Sequence, residues 1–234
     1  MDKQVLTREL LQSGAIDAMV ARAAPGIRLL TPEERAASLR ATLDARPPGD
    51  VWLFAYGSLI WNPTIETAER RAARIVGWHR AFCLSVKAGR GTAENPGLVL
   101  GLDEGGECQG IAFRIADALV EAELSVLWQR EMLSGAYIPR WLEVLDCDGT
   151  RFGSAIAFTV DRAGMNYAGG LGVAEVVQRL ATASGMLGSS AEYLFQTCEG
   201  LRAHGMADAM LDGLADSVRA VTRGDANGDG QARP

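Results

Sequence analysis

The chain has 234 residues, of which 48% are hydrophobic and 22% are charged, and its formal net charge is −6. This composition is typical of a globular protein with a sizeable core, and it excludes a disordered or fibrous chain. The negative charge argues against general binding to nucleic acid, no apolar stretch has the length of a membrane span, and the residues after Met1 do not resemble a signal peptide. We therefore expect a cytoplasmic protein with no nucleic-acid or membrane partner.

Residues 1–49 are predicted to form a helical N-terminal extension. A helical stretch comes first, and a second helix should begin after Thr31. Thr31 is a typical N-cap residue, Pro32 suits the first helical position, and Glu34 follows the cap by three residues. We expect this helix to end before the Pro-Pro-Gly linker at residues 47–49.

An apolar run at residues 51–55 leads directly into the turn Tyr56-Gly57-Ser58. Such a run predicts a buried strand, and the turn after it is made of small residues. Gly57 would let the backbone approach a ligand that a side chain excludes, and backbone N–H groups at such a turn can hold an anion. An ordinary buried strand with a tight turn fits the same pattern.

Residues 50–223 are predicted to form one main domain, in which short strands precede helices. A helix capped by Asp117 and running to about Leu133 is inserted among the strands. The other predicted strands cover residues 74–87 as a pair, 98–102, 108–115, 137–145 and 151–160. The later predicted helices cover residues 173–184, 190–203 and 207–221. Strands first and helices last indicate an α+β architecture rather than alternating βαβ units.

The residue pattern predicts no metal or cofactor site. The four cysteines form no C-x-x-C pair, and neither a Walker-type phosphate loop nor a G-x-S-x-G motif is present. Residues 224–230 resemble the first half of an EF-hand loop, but the chain stops before the position of the bidentate glutamate. We interpret residues 224–234 as a flexible tail.

Glu131 is the candidate catalytic residue. Val120, Leu124, Leu127 and Glu131 follow one stripe of the predicted helix, so the glutamate is in line with the apolar face. Burial there would raise the pKa of the carboxyl group and make it a good general base and acid. The alternative is structural: Glu131 lies near the helix end and either turns to solvent or pairs with an arginine such as Arg140.

Several segments, in order along the chain, resemble the ChaC-type γ-glutamylcyclotransferases. The first is Phe-Ala-Tyr-Gly-Ser-Leu-Ile-Trp-Asn-Pro, which is similar to the signature of that family. The matching segments lie at residues 54–63, 91–97, 109–114, 128–137 and 193–208. The resemblance covers roughly residues 51–215, and Ala93 departs from it where the family often has proline.

The resemblance implies a small mixed β-barrel with flanking helices and a helical C-terminal segment. Family members cleave glutathione to 5-oxoproline and cysteinylglycine without a metal or cofactor, and Glu131 matches their proton acceptor. By the same resemblance, backbone amides of the Tyr-Gly-Ser-Leu loop hold the substrate, and Arg130 and Tyr137 lie near it. Arg130 either orients Glu131 or binds a carboxylate. The residues implied to line the γ-glutamyl pocket are Ala55, Tyr56, Gly57, Ser58, Leu59 and Ile60.

Three functional hypotheses follow. The first is a glutathione-degrading lyase, and the second is a cyclotransferase for other γ-glutamyl amino acids or amines. The third is a non-catalytic protein that binds a γ-glutamyl ligand. An intact Glu131 disfavours the third hypothesis, because a carboxylate on an apolar face is costly for a protein that does not use it.

Overall fold

The computed structural model describes residues 5–228, and its first elements are three helices. They are α1 Arg8–Gln12, α2 Ala15–Ala23 and α3 Pro32–Asp44. The predicted cap of α3 is confirmed: the Thr31 hydroxyl accepts a hydrogen bond from the Glu34 N–H, and the Glu34 carboxylate accepts one from the Thr31 N–H. Helix α3 also ends before the Pro-Pro-Gly linker, as predicted.

Five strands then form a closed barrel. They are β1 Val51–Ala55, β2 Glu69–Val86, β3 Gly97–Ile115, β4 Tyr137–Leu145 and β5 Arg151–Val160. The order around the barrel is β1-β3-β2-β4-β5, and parallel pairing of β1 with β5, in which Trp52 lies opposite Ala155, closes it. The other neighbours in this order pair antiparallel. A mixed barrel with flanking helices confirms the predicted α+β class.

Strands β2 and β3 are longer than predicted. The pair of strands expected at residues 74–87 is one strand, and the short strands expected at 98–102 and 108–115 are parts of another. The two long strands form one hairpin with register shifts. Gly77 lies at such a shift with φ 85°, and Gly105 lies within β3 with φ 99°. With these φ values, the glycines permit bulges inside continuous strands.

Helix α4, Val120–Glu131, packs against the barrel core through a fully buried Trp128. The Trp128 ring lies edge-on to the ring of Phe158, with the centroids 5.2 Å apart. The predicted cap at Asp117 is wrong. Asp117 opens a 3-10 turn and pairs with Arg46, and α4 begins only after that turn, without a side-chain cap. The intervening turn carries Asp117 away from the capping position.

The C-terminal part of the described chain is helical, as predicted. Its elements are α5 Val173–Thr182, the two-residue strands β6 Ser184–Gly185 and β7 Gly188–Ser189, α6 Ser190–Ala203 and α7 Ala209–Gly228. Helix α7 extends past its predicted end near residue 221. Residues 229–234 of the predicted tail, with the end of the EF-hand-like segment, lie outside the described residues. Among residues 5–228, no helix combines the length and apolarity of a membrane span.

Candidate active site

Glu131 is the last residue of α4, and only 13% of its side chain is exposed. Burial raises the pKa of this carboxyl group, while the charge and hydrogen bond of Arg130 act in the opposite direction. Arg130 Nε lies 2.9 Å from Glu131 Oε1. Arg140, the alternative partner, donates instead to the Thr159 hydroxyl. The carboxyl group is therefore mostly buried and its pKa is raised, which suits a group that transfers protons.

Three tyrosines, Tyr56, Tyr137 and Tyr193, surround Glu131. Together with the glutamate they line a small cavity of about 20 Å³. Desolvation raises the pKa of each phenol, and the negative charge of Glu131 adds to the effect. The hydroxyls of Tyr56 and Tyr137 donate to backbone carbonyls at 2.8 and 3.1 Å. On the side of the small cavity, the carboxyl group thus lies among neutral tyrosine side chains.

Two arginines hold the Tyr-Gly-Ser turn that follows β1. The buried Arg80 of β2 donates to the Tyr56 carbonyl at 2.8 Å, and its Nε lies 2.9 Å from the Asp208 carboxylate. Arg130 donates to the Ser58 hydroxyl at 2.9 Å. Arg80 thus holds a carbonyl on one side of the turn, and Arg130 holds a hydroxyl on the other. These contacts fix the conformation of the turn before any substrate binds.

Gly57 lies against helix α6. A Cβ atom at this position would lie 2.7 Å from the Tyr193 hydroxyl oxygen and 3.6 Å from Leu100 Cβ. The φ of Gly57 is −137°, so close approach rather than a left-handed conformation accounts for the glycine. The sequence suggested close approach to a ligand, and the structure shows that a tyrosine of the protein occupies that space.

The other predicted pocket residues divide into two groups. Leu59 lines the small cavity with Tyr56, Gly57 and Ser58. Ala55 and Ile60 line none of the cavities next to Glu131. Both are buried: Ala55 pairs with β3, and the Ile60 side chain faces Gly200 of α6. Their place in the core is consistent with support of the turn and not with lining of the cavity.

Glu131 lies where the small cavity meets a main cavity of about 340 Å³. Four residues line both cavities: Ser58, Glu131, Tyr137 and Tyr193. A third cavity of about 150 Å³ also reaches Glu131 and Tyr137. The main cavity has the size of a small-molecule site, and the carboxyl group is at its inner end.

Tyr193, Arg90 and Gln196 line the main cavity but were not among the predicted site residues. The guanidinium of Arg90 lies 5.9 Å from the ring centroid of Trp61 and 5.8 Å from that of Tyr193. Gln196 Oε1 is buried and has no hydrogen-bond partner. Arg90 sits between two glycines that read only as a turn, whereas Tyr193 belongs to a segment that the family resemblance had already marked.

No cysteine or histidine lines the cavities around Glu131, in the part of the chain that the structure describes. All four cysteines are free thiols, and desolvation raises the pKa of Cys83 to about 12. Residues 5–228 contain no group of three or more His, Cys, Asp or Glu side chains arranged to hold a metal ion. Within that range, the ionisable groups that line these cavities are Arg90, Arg130, Glu131, Lys87 and the tyrosines.

A closed barrel with a mostly buried glutamate beside a substrate-sized cavity is an arrangement suited to proton transfer on a small molecule. The barrel resembles the crystal structure of the yeast γ-glutamylcyclotransferase specific to glutathione, with a TM-score of 0.67 and 20% sequence identity over 74% of this chain and 97% of that one. The chain belongs to the ChaC-like protein family, whose model matches residues 51–221. The family predicted from the motifs is therefore confirmed.

Two relatives are named for the same activity. A glutathione-specific γ-glutamylcyclotransferase of Escherichia coli K12 is 46% identical over 192 residues, which cover 82% of this chain and 83% of the relative. Glutathione-specific γ-glutamylcyclotransferase 1 of Danio rerio is 30% identical over 156 residues, which cover 65% of this chain and 79% of the relative.

Proposed function

We propose that this chain cyclises the γ-glutamyl group of glutathione and releases 5-oxoproline and cysteinylglycine. The observation that carries the proposal is the position of Glu131, a buried carboxyl group of raised pKa at the junction of the small and main cavities. The 46% identity to an enzyme named for this activity supports the choice of glutathione. The chain is then a carbon–nitrogen lyase of glutathione catabolism.

The γ-glutamyl group binds at the inner end of the main cavity, next to the Tyr-Gly-Ser turn, and cysteinylglycine extends outward. Ser58, Glu131, Tyr137 and Tyr193 surround that inner end. Backbone N–H groups of the turn are the proposed donors to the substrate. Residues Ser58–Ile60 form a 3-10 turn, and the first N–H groups of such a turn have no partner within it. The fixed turn supplies orientation rather than a nucleophile.

Glu131 moves the proton in the reaction. Its carboxylate takes a proton from the α-amine of the γ-glutamyl group, and the amine nitrogen attacks the γ-carbonyl carbon of the same group. A new C–N bond closes the five-membered ring, and the bond from that carbon to the cysteinyl nitrogen breaks. Protonated Glu131 returns its proton to the departing nitrogen, so the carboxylate is regenerated.

One carboxyl group suffices because the nucleophile belongs to the substrate. Well-oriented intramolecular attack has effective molarities on the order of 10⁵ M or more, so holding the substrate in a folded conformation supplies much of the rate. Arg130 positions the carboxylate, since it contacts Glu131 and also donates to Ser58, Thr64 and the Asn62 carbonyl. Those contacts occupy the guanidinium, which argues for orientation of Glu131 over binding of a substrate carboxylate.

The decisive experiment offers purified protein glutathione, γ-glutamylcysteine and γ-glutamylalanine, and follows 5-oxoproline and the released amine by mass spectrometry. We expect 5-oxoproline and cysteinylglycine in equal amounts from glutathione. A preference for the dipeptides would select the second hypothesis, a cyclotransferase for other γ-glutamyl amides. Binding of glutathione without any product would select the non-catalytic hypothesis.

We also propose that the protein acts in the cytoplasm on this small molecule, without a cofactor and without nucleic-acid or membrane partners. The four unpaired cysteines fit a reducing compartment. Fractionation of cells that express the chain, with a cytoplasmic marker as reference, tests the location.

A further inference from the structure

The N-terminal segment, defined as residues 5–30, lies against the active-site cavities. Val5 and Leu6 line the main cavity, which contains Glu131. Val20 and Ile27 line the third cavity, which reaches the same glutamate. The segment therefore borders the space around Glu131 in two places, although the family model matches only residues 51–221.

Apolar packing and a hydrogen bond from a side chain of the domain attach this segment to the domain. Leu11, Ile16 and Val20 form a second buried cluster with Val126 of α4, the helix that carries Glu131. Closer to the cavity, the Asn62 side chain donates to the Leu6 carbonyl at 3.0 Å. This bond turns the Leu6 carbonyl toward the protein and leaves apolar side chains at the cavity surface.

An ion pair between the partly exposed Arg8 and the buried Glu123 holds the segment just after the cavity-lining residues. The Arg8 guanidinium makes two hydrogen bonds to Glu123 of α4, one of them 2.9 Å from Nη2 to Oε1. Glu123 is 2% exposed, and its Oε2 also accepts the Glu66 N–H at 2.9 Å. Arg8 follows Leu6 by two positions, so the Arg8–Glu123 pair determines where Val5 and Leu6 lie.

We propose that Val5 and Leu6 form the outer wall of the substrate site and select for the glycine end of glutathione, and that the Arg8–Glu123 pair holds this wall in place. The inference rests on the proposed function. Ser58, Glu131, Tyr137 and Tyr193 line both the small and the main cavity, and so mark the γ-glutamyl end. Val5 and Leu6 line only the main cavity, where the part of the substrate beyond cysteine must lie.

The test replaces Arg8 with methionine, which keeps the length of the side chain and removes its fork of donors. Steady-state kinetics give kcat and KM for glutathione, and inhibition of that reaction gives Ki for γ-glutamylcysteine, which lacks the glycine. In Arg8→Met we expect KM for glutathione to rise roughly tenfold, the effect of losing an apolar contact. We expect kcat and the Ki of γ-glutamylcysteine to change less than twofold.

Arg162→Met is the matched control. Arg162 also pairs with a buried carboxylate, that of Asp103. A backbone N–H remains as a donor to each carboxylate, from Glu104 for Asp103 and from Glu66 for Glu123, and Asp103 also keeps the Tyr167 hydroxyl. Arg162 and Asp103 line none of the three cavities around Glu131. This variant also loses an arginine–carboxylate pair, and it should keep the wild-type KM.

An unchanged KM in Arg8→Met, or a KM that rises equally with the Ki of γ-glutamylcysteine, would overturn the proposal. A loss of kcat alone would also overturn the proposal, because it would mean that the N-terminal segment positions Glu131 and does not contact the substrate. If Arg8→Met does not fold, Leu6→Ala takes its place with the same expectations.

If wild type releases no 5-oxoproline, the proposed function fails separately. Calorimetric binding of glutathione and γ-glutamylcysteine to wild type and variant then tests the wall directly.

Discussion

Helix α4 carries two buried glutamates, Glu123 and Glu131, whose surroundings differ. Burial acts to raise the pKa of Glu123, but hydrogen bonds from Arg8 and Glu66 outweigh it, and the pKa is lowered. Burial raises the pKa of Glu131, and Arg130 does not outweigh it. Glu123 is thus a stable anion near the start of the helix, whereas Glu131 at its end is suited to exchange protons.

The number of donors that each carboxylate receives explains the difference. Glu123 accepts two hydrogen bonds from Arg8 and a third from the Glu66 backbone. Among residues 5–228, Arg130 is the one cationic partner of Glu131, and Arg130 also donates to Ser58, among other acceptors. Burial with few donors, rather than burial alone, is the environment that suits a proton-transferring carboxyl group.

Glu131→Gln should have the largest effect on activity. The amide has the shape of the carboxyl group but accepts no proton, so we expect kcat to fall by about 10³-fold, within the range for general acid–base catalysis. Circular dichroism and the Kd of glutathione should stay close to wild type. Turnover within tenfold of wild type would remove Glu131 from its catalytic role.

Glu123→Gln should reverse this pattern. The amide oxygen can still accept the Glu66 N–H, but Arg8 loses its charged partner, so the free energy of unfolding should fall by about 2 kcal/mol. Urea denaturation measures the change. Because Glu123 lines none of the cavities around Glu131, kcat should stay within about threefold of wild type. A loss of kcat as large as that of Glu131→Gln would mean that the two glutamates do not have separate roles.

Arg130→Lys should have a smaller effect on turnover. Lysine keeps the charge but cannot contact Glu131 while also donating to Ser58 and Thr64, because it lacks the planar fork. We expect kcat to fall about tenfold, with little change in KM, since the arginine is assigned to positioning. A rise in KM at constant kcat would instead indicate that Arg130 binds a substrate carboxylate.

The sequence predicts Glu131 and the Tyr-Gly-Ser turn much better than the residues that other elements bring to the site. The apolar stripe of α4 identified Glu131, and the break after residues 51–55 identified the turn, because both signals lie within one element. Tyr193 and Arg80 reach the site only through the packing of α6 and the closure of the barrel. Asp117 shows the same limit at short range, since an added 3-10 turn displaced the helix start.

The pH dependence of activity and that of stability should separate the two glutamates. Glu131 must be ionised to accept a proton, and its pKa is raised, so kcat/KM should fall as the pH drops through a value above its ordinary pKa of about 4.3. The pKa of Glu123 is lowered in the folded protein, so its contribution to stability is complete above the unfolded pKa. That contribution is lost only as the pH falls through the lower folded value.

Activity should therefore be lost at a higher pH than the one at which the stabilising contribution of Glu123 is lost. The raised pKa of Glu131 affects stability in the opposite direction. As the pH rises through the folded pKa, ionisation of Glu131 lowers the free energy of unfolding. Glu131→Gln should consequently be slightly more stable than wild type at pH 7, and equally stable well below pH 4. Urea denaturation at both pH values measures the difference, and a variant less stable than wild type at pH 7 would show that Glu131, like Glu123, is a structural anion.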